Sequence, residues 1–217
     1  ERGGRTIVEG VSFVAEPGRF VAIAGVNGCG KSTLLAGISN ELTLAAGEIL
    51  IDGVALQDWP LQSLARRRAV LLQDSELSFP FTVLDVVLMG RSAFNSGVET
   101  PRDLEIAGAA LERVGLATFT TRRYTNLSGG ERQRVHLARV LAQVWQEHEA
   151  GDVPSKTKYL LLDEPTASQD LAAQHRVLSS ARDFADRGGV VISVLHDLNQ
   201  VAQYADQVLL ISGGLVV

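Results

Sequence analysis

The sequence predicts an α/β fold with a mainly parallel sheet, an antiparallel β part near the N-terminus and a helical insertion in the middle. Three observations carry this. The continuous apolar run Phe20 to Ala24 leads straight into a glycine-rich loop and a helix start. Further on, apolar runs of strand length alternate with stretches of helical period, the pattern of parallel strands joined by crossover helices. A second buried-type run, Tyr159 to Leu162, ends in Asp163-Glu164, and ligands of open α/β sheets bind beyond such strand ends.

Taken in order, Thr6 to Phe13 and Arg19 to Ala24 read as two strands joined by a turn at Pro17-Gly18, after a hairpin turn at residues 1–5. Ser32 to Ile38 then forms the first turns of a helix. Gly47 to Gly53 is a short strand closed by an Asp-Gly turn, and Ala69 to Leu72 is another strand, ending at Gln73. From Val83 the period changes. Val83, Val86, Val87 and Phe94 mark one helix and Leu104, Ala107, Leu111 and Val114 a second, so this stretch reads as an inserted helical subdomain. A third helix starts near Ser128 and runs through Trp145. The polar stretch Gln146 to Thr157 is a surface loop. Ala172 to Arg187 is an amphipathic helix, Val190 to Leu195 a strand, Leu198 to Tyr204 a short helix and Gln207 to Ile211 a last strand, with Leu215 to Val217 beginning a further apolar run.

At 217 residues the chain buries a substantial core, as one large domain or one domain with a subdomain. Its apolar runs are too short to span a bilayer, and no signal pattern opens it. The net charge of −5 argues against general nucleic-acid binding. The basic groups Arg66-Arg67-Arg68 and Arg122-Arg123 read as solvated faces. The single cysteine, Cys29, excludes an internal disulfide and fits a reducing compartment. It is either a thiol activated by the helix N-terminus or a small residue beside glycine.

The chemistry concentrates in Gly25, Val26, Asn27, Gly28, Cys29, Gly30, Lys31, Ser32 and Thr33, which fit the phosphate-binding pattern G-x-x-x-x-G-K-[ST] between strand and helix. Glycines let successive N–H groups turn inward around a phosphate chain, and the helix start adds free donors and partial positive charge. Lys31 reaches the terminal phosphates and the Ser32 hydroxyl takes Mg²⁺. Of the carboxylates beyond Leu162, Asp163 suits Mg²⁺ and Glu164 a water attacking the γ-phosphate. Leu127-Ser128-Gly129-Gly130-Glu131 opens the third helix with capping-box spacing and accessible amides, a second potential anion site.

The order of these motifs, with Gln73, Asp170 and His196, resembles the ATP-binding cassette (ABC) ATPases over essentially the whole chain, which implies a P-loop NTPase fold for residues 1–217 as one domain. The helical subdomain would occupy about residues 74–142 of a RecA-like core. The resemblance implies a homodimer in which Ser128, Gly129 and Gly130 of one subunit hold the γ-phosphate of ATP bound at the other's Lys31. It implies that Gln73 touches Mg²⁺ or the attacking water, that His196 contacts the γ-phosphate, and that Glu164 is the general base. Two departures stand out. Where the family commonly has Ser-Ala-Leu-Asp, this chain has Ala167-Ser168-Gln169-Asp170, which bears on coupling between the two sites; and the aromatic that stacks on adenine normally lies upstream of residue 1.

A finer resemblance, to importers of iron-containing compounds and especially haem-importer ATPases, rests on Ala65 to Gln73, Leu77 to Val83 leading to Met89-Gly90-Arg91, the loop from Trp145 to Lys158, and His196 to Asn199 with Tyr204 to Asp206. It implies an ATPase on the cytoplasmic face of the membrane. Its partners would be permease subunits, with Phe79, Pro80 and Phe81 as candidate contacts, and indirectly an extracytoplasmic binding protein. Siderophore or cobalamin import, and a soluble cassette acting in repair or translation, are the alternatives.

Overall fold

A computed structural model describes residues 6–73, 77–95, 97–146, 156–167 and 169–216. The expected hairpin turn at residues 1–5, most of the loop between Trp145 and Lys158, and Ser168 lie outside them. The sheet has the order β4-β5-β6-β1-β7-β8. Its strands are β1 (Phe20–Gly25), β4 (Arg68–Leu71), β5 (Tyr159–Asp163), β6 (Val190–Val194), β7 (Gln207–Ser212) and β8 (Leu215–Val216). The first five are parallel, and β8 returns antiparallel along β7. The continuous apolar runs have the physical cause expected of them, because β1 and β6 are covered on both faces and residues Phe20 to Ile23 have 0% exposure.

Alternate residues of each strand feed different cores. Phe20, Ala22, Leu71, Leu160, Leu162 and Val191 pack with the helices α3 (Val83–Leu88), α4 (Pro101–Arg113), α5 (Gly129–Gln143) and α6 (Leu171–Asp186). Val21, Ile23, Leu161, Ile192 and Val194 face the other way, against Leu35 of α1 (Lys31–Ile38). The middle stretch is helical as expected. Its three helices, α3, α4 and α5, each begin with a capping box: Thr82 with Asp85, Thr100 with Asp103 and Ser128 with Glu131.

Several expectations are corrected. Thr6 to Phe13 joins no ladder among the described residues. Glu9 donates its N–H to Gly214 O at 3.0 Å, but Gly10 next to it has φ 65°, which breaks the pleat. Antiparallel pairing near the N-terminus is confined to the hairpin β2 (Leu50–Ile51) and β3 (Val54–Ala55), whose turn residues Asp52 and Gly53 both have positive φ, as a two-residue hairpin requires. The short helix α2 (Leu61–Ala65) follows it, unseen in the sequence pattern. Helix α3 ends at Leu88, and a 3₁₀ turn, Met89–Arg91, replaces the expected continuation to Phe94. There Gly90 meets α5 so closely that a Cβ would lie 2.2 Å from Arg139 O. Helix α5 stops at Gln143, short of Trp145.

The basic run is a solvated face only in part: Arg66 is exposed as expected, and Arg68 is half-buried. Arg67 is 7% exposed; it pairs with Asp52, donates to Thr157 O at 3.0 Å and lies over the Trp59 ring. The turn at Asp52 brings a carboxylate back over β4, and burial of the guanidinium follows from that partner. Arg122 and Arg123 are exposed as expected.

Candidate functional site

Four neighbouring parallel strands, β4, β5, β6 and β1, end on one edge of the sheet. Gln73 lies just beyond β4, Glu164 just beyond β5, His196 beyond β6 and the loop Gly25 to Gly30 beyond β1. This strand order collects residues distant in sequence around a cavity of about 1200 Å³. Gly25, Val26, Asn27, Gly28, Gly30, Lys31, Ser32, Thr33, Gln73, Glu164 and His196 line it.

The loop is built to present backbone. Gly30 caps α1 with φ 107°, and a Cβ there would meet Val8 Cγ2 at 2.5 Å, so both conformation and space demand glycine. The Cys29 thiol, 7% exposed, turns away into the apolar cluster with Ile23 and Leu35. It packs as a small buried residue, and the reactive-thiol expectation is not supported. Lys31 is 5% exposed, and its Nζ donates to Gly25 O and Val26 O, both at 3.0 Å. Among the described residues no carboxylate pairs with this buried cation. A buried charge held only by neutral carbonyls, at a helix start, fits an anion such as a polyphosphate.

Ser32 donates its hydroxyl to Asp163 Oδ1 at 3.1 Å, bridging α1 and β5. Burial pushes the Asp163 carboxyl above its ordinary range, the Ser32 hydrogen bond works against that, and the neighbouring Glu164 charge adds to it. A cation at this oxygen pair would relieve the same stress. Among the described residues no group of three or more His, Cys, Asp or Glu forms a metal cage. The Ser32 hydroxyl and Asp163 carboxylate are two protein oxygens of the kind that bind Mg²⁺ together with phosphate oxygens and water.

Glu164 adopts a left-handed backbone with φ 46°, uncommon for a side chain of its size. Its two oxygens are taken from two sides. Gln73 Nε2 donates to Oε2 at 3.2 Å, and His196 Nε2 lies 2.5 Å from Oε1. Each oxygen still has a second lone-pair direction open to a water in the cavity.

Ser128, Gly129, Gly130 and Asp170 do not line this cavity. Ser128 and Gly129 are exposed at the start of α5, where the Ser128 N–H and hydroxyl hold Glu131 Oε2 at 2.7 and 2.8 Å. Those bonds draw the Glu131 carboxyl below its usual range. Gly130 adjoins Gln169, 3.6 Å from where its Cβ would be. Asp170 caps α6, accepting from Ala173 N at 2.8 Å. Ile7, Leu198, Leu210, Ile211 and Ser212 also border the cavity; they are ordinary residues of strands, loops and a helix start, and no motif in the sequence marks them.

Residues 8–167 match the ABC transporter family. A protein from Gloeobacter violaceus named hemin import ATP-binding protein HmuV is 50% identical over 97% of this chain and 75% of its own length. One of the same name from Pseudomonas aeruginosa is 47% identical over 98% of this chain and 80% of its own. Among solved structures, a transporter described as a metal-chelate type ABC transporter, in an inward-facing conformation, superimposes with a TM-score of 0.72 and 32% identity, over 93% of this chain and 71% of that one. A bacterial ABC transporter cassette solved as a dimer gives 0.79 and 26% identity, over 97% and 88%. With the family match covering most of its length and relatives near half identity across almost all of it, the chain belongs to the ABC transporter family.

Proposed function

We propose that this chain is the ATP-binding and ATP-hydrolysing subunit of an importer that powers uptake of haem or a related iron compound through a membrane permease. The observation that carries the hydrolytic part is Glu164, held between Gln73 and His196 at the mouth of a loop built for phosphate. The cargo is argued from the hemin-import relatives. A related metal chelate is the second reading, favoured by the likeness to a metal-chelate type transporter.

In this reading the amides of Gly25 to Thr33 wrap the phosphate chain of ATP, and Lys31 exchanges its carbonyl partners for the terminal phosphates. Ser32, Asp163 and Gln73 hold Mg²⁺, which when bound neutralises charge on the phosphate oxygens. Glu164 takes the proton of a water aligned by Gln73, and His196 steadies charge on the γ-phosphate. Because phosphoryl transfer is catalysed mainly by positioning and electrostatics, Lys31 and His196 contribute alongside the base. The exposed Ser128 and Gly129, with the half-buried Gly130, serve the nucleotide of a second copy, and Asp170 joins the two sites across that dimer.

Residues 1–217 act as one nucleotide-binding domain, with about 74–142 as the helical subdomain that responds to Gln73. Among the described residues no helix is long and apolar enough to cross a membrane. In this reading the chain works at the cytoplasmic face, against the permease. Phe79, Pro80 and Phe81 are the proposed contacts, and the extracytoplasmic binding protein acts through the permease. No nucleic acid is involved. Reconstitution with the permease tests the cargo: haem-loaded binding protein should stimulate ATP hydrolysis. Stimulation by a siderophore but not by haem would overturn the haem reading.

A further inference from the structure

Behind the cavity, three polar side chains close a ring. Gln174 of α6 donates its amide to Gln169 O at 3.0 Å and Thr166 O at 3.4 Å. Gln200 of α7 (Leu198–Tyr204) donates to Gln174 Oε1 at 2.9 Å, and its own oxygen accepts the Thr166 hydroxyl at 3.1 Å. Chemistry dictates each orientation. Two backbone carbonyls face Gln174, so its nitrogen points to them. Its oxygen then faces Gln200, which must present nitrogen, and the remaining oxygen receives the one proton the Thr166 hydroxyl can give. All three side chains are partly buried, where such a network is stronger and a broken one more costly than in water.

The ring ties together the segments that follow Glu164 and His196. Thr166 belongs to the turn after Glu164, whose Ala167 N–H returns to Glu164 O at 3.2 Å and whose Pro165 O accepts from Gln169 Nε2 at 2.9 Å. Gln200 stands in the first turn of the helix after His196. Gln174 is the post to which both are fastened. The left-handed backbone of Glu164, φ 46°, persists only where surroundings over-determine it. This ring fastens one side of that turn to the helix that follows His196. None of the three side chains borders the cavity.

We infer that Thr166, Gln174 and Gln200 are positioning residues that hold Glu164 and His196 in register for hydrolysis; the inference rests on the roles proposed for those two residues. They touch neither phosphate nor metal. Their loss therefore lowers turnover and leaves nucleotide affinity nearly intact.

The test is steady-state ATP hydrolysis by the full chain, with kcat and KM measured separately and folding followed by thermal melting. Gln174→Ala and Gln200→Ala should each lower kcat about tenfold with KM for ATP changed less than about twofold. The double variant should be no worse than about either single one, because the ring fails as a unit. Thr166→Val, which keeps shape and loses the O–H, should lose as much as Gln200→Ala, while Thr166→Ser should retain turnover. If Gln174→Ala does not fold, the Thr166 pair decides. Wild-type kcat in Gln200→Ala and Thr166→Val, or single losses that multiply in the double variant, would overturn the ring. Glu164→Gln separates this from failure of the underlying reading: hydrolysis surviving in that variant would remove the roles of Glu164 and His196, and the inference with them.

Discussion

His196 Nε2 lies 2.5 Å from Glu164 Oε1, across the ends of two adjacent parallel strands. The register that pairs Asp163 with Val194 sets both residues just past the last rung, one strand apart. A contact between an imidazole and a carboxylate at this place concentrates charge stabilisation where the γ-phosphate would react. His196→Ala should therefore lower kcat at least about a hundredfold, with a smaller change in KM. A rapid-quench or coupled ATPase assay checks this, and a KM effect alone would move His196 from chemistry to binding.

Lys31 is buried with only carbonyl partners, so its charge does little for the nucleotide-free fold. Lys31→Ala should weaken ATP binding by about tenfold to a hundredfold, the range expected for losing charge-assisted hydrogen bonds. Its melting temperature without nucleotide should stay near wild type. Isothermal titration and a thermal melt measure both. Unchanged affinity would separate the loop from phosphate binding.

The Arg91 and Asp103 side chains form a buried pair at 2.9 Å, and Arg91 also donates to Ala142 O at 2.8 Å, tying the turn after α3 to α4 and α5. Burial alone would raise the Asp103 carboxyl, but hydrogen bonds from Arg91 and Thr100 prevail and hold it at about 2. A depressed carboxyl stabilises the fold above its ordinary value near 4, and that stability disappears as pH falls through about 2; the amount is about 2 kcal/mol. Asp103→Asn should flatten this part of the stability profile and cost about 3–5 kcal/mol at neutral pH, since Arg91 is left buried and unpaired. Urea melts at stepped pH values measure both effects.

Phe79 is 70% exposed, and its ring stands 6.0 Å from that of Phe81. As permease contacts they should matter for coupling and not for chemistry. Replacing both with alanine should abolish transport in proteoliposomes while basal ATP hydrolysis stays within about twofold of wild type. Equal loss of both activities would mean that the rings serve the subdomain's own packing.

The site was legible in the sequence because three of its side chains follow an apolar run by one or two residues, and such runs announce buried parallel strands. Gln73, Glu164 and His196 stand in that relation to β4, β5 and β6, while Lys31, six residues past β1, is marked by the glycine-rich loop motif. Contacts made across the fold were not legible. Arg67 looked solvated because its partner Asp52 arrives by a hairpin turn, and the Gln174 and Gln200 amides meet across 26 residues with no pattern to mark them. The close approach at Gly90 depends on Arg139, far along the chain, so the helix period ran past it.

In the proposed dimer, Lys31 furnishes one half of a nucleotide site and Ser128 to Gly130 of a second copy furnish the other. Sedimentation velocity of the Glu164→Gln variant with saturating Mg²⁺ and ATP measures this directly. The expected result is a stable dimer that returns to monomer when ATP is removed or when Ser128→Arg is added. A monomer that binds ATP fully and hydrolyses none of it would contradict the shared site.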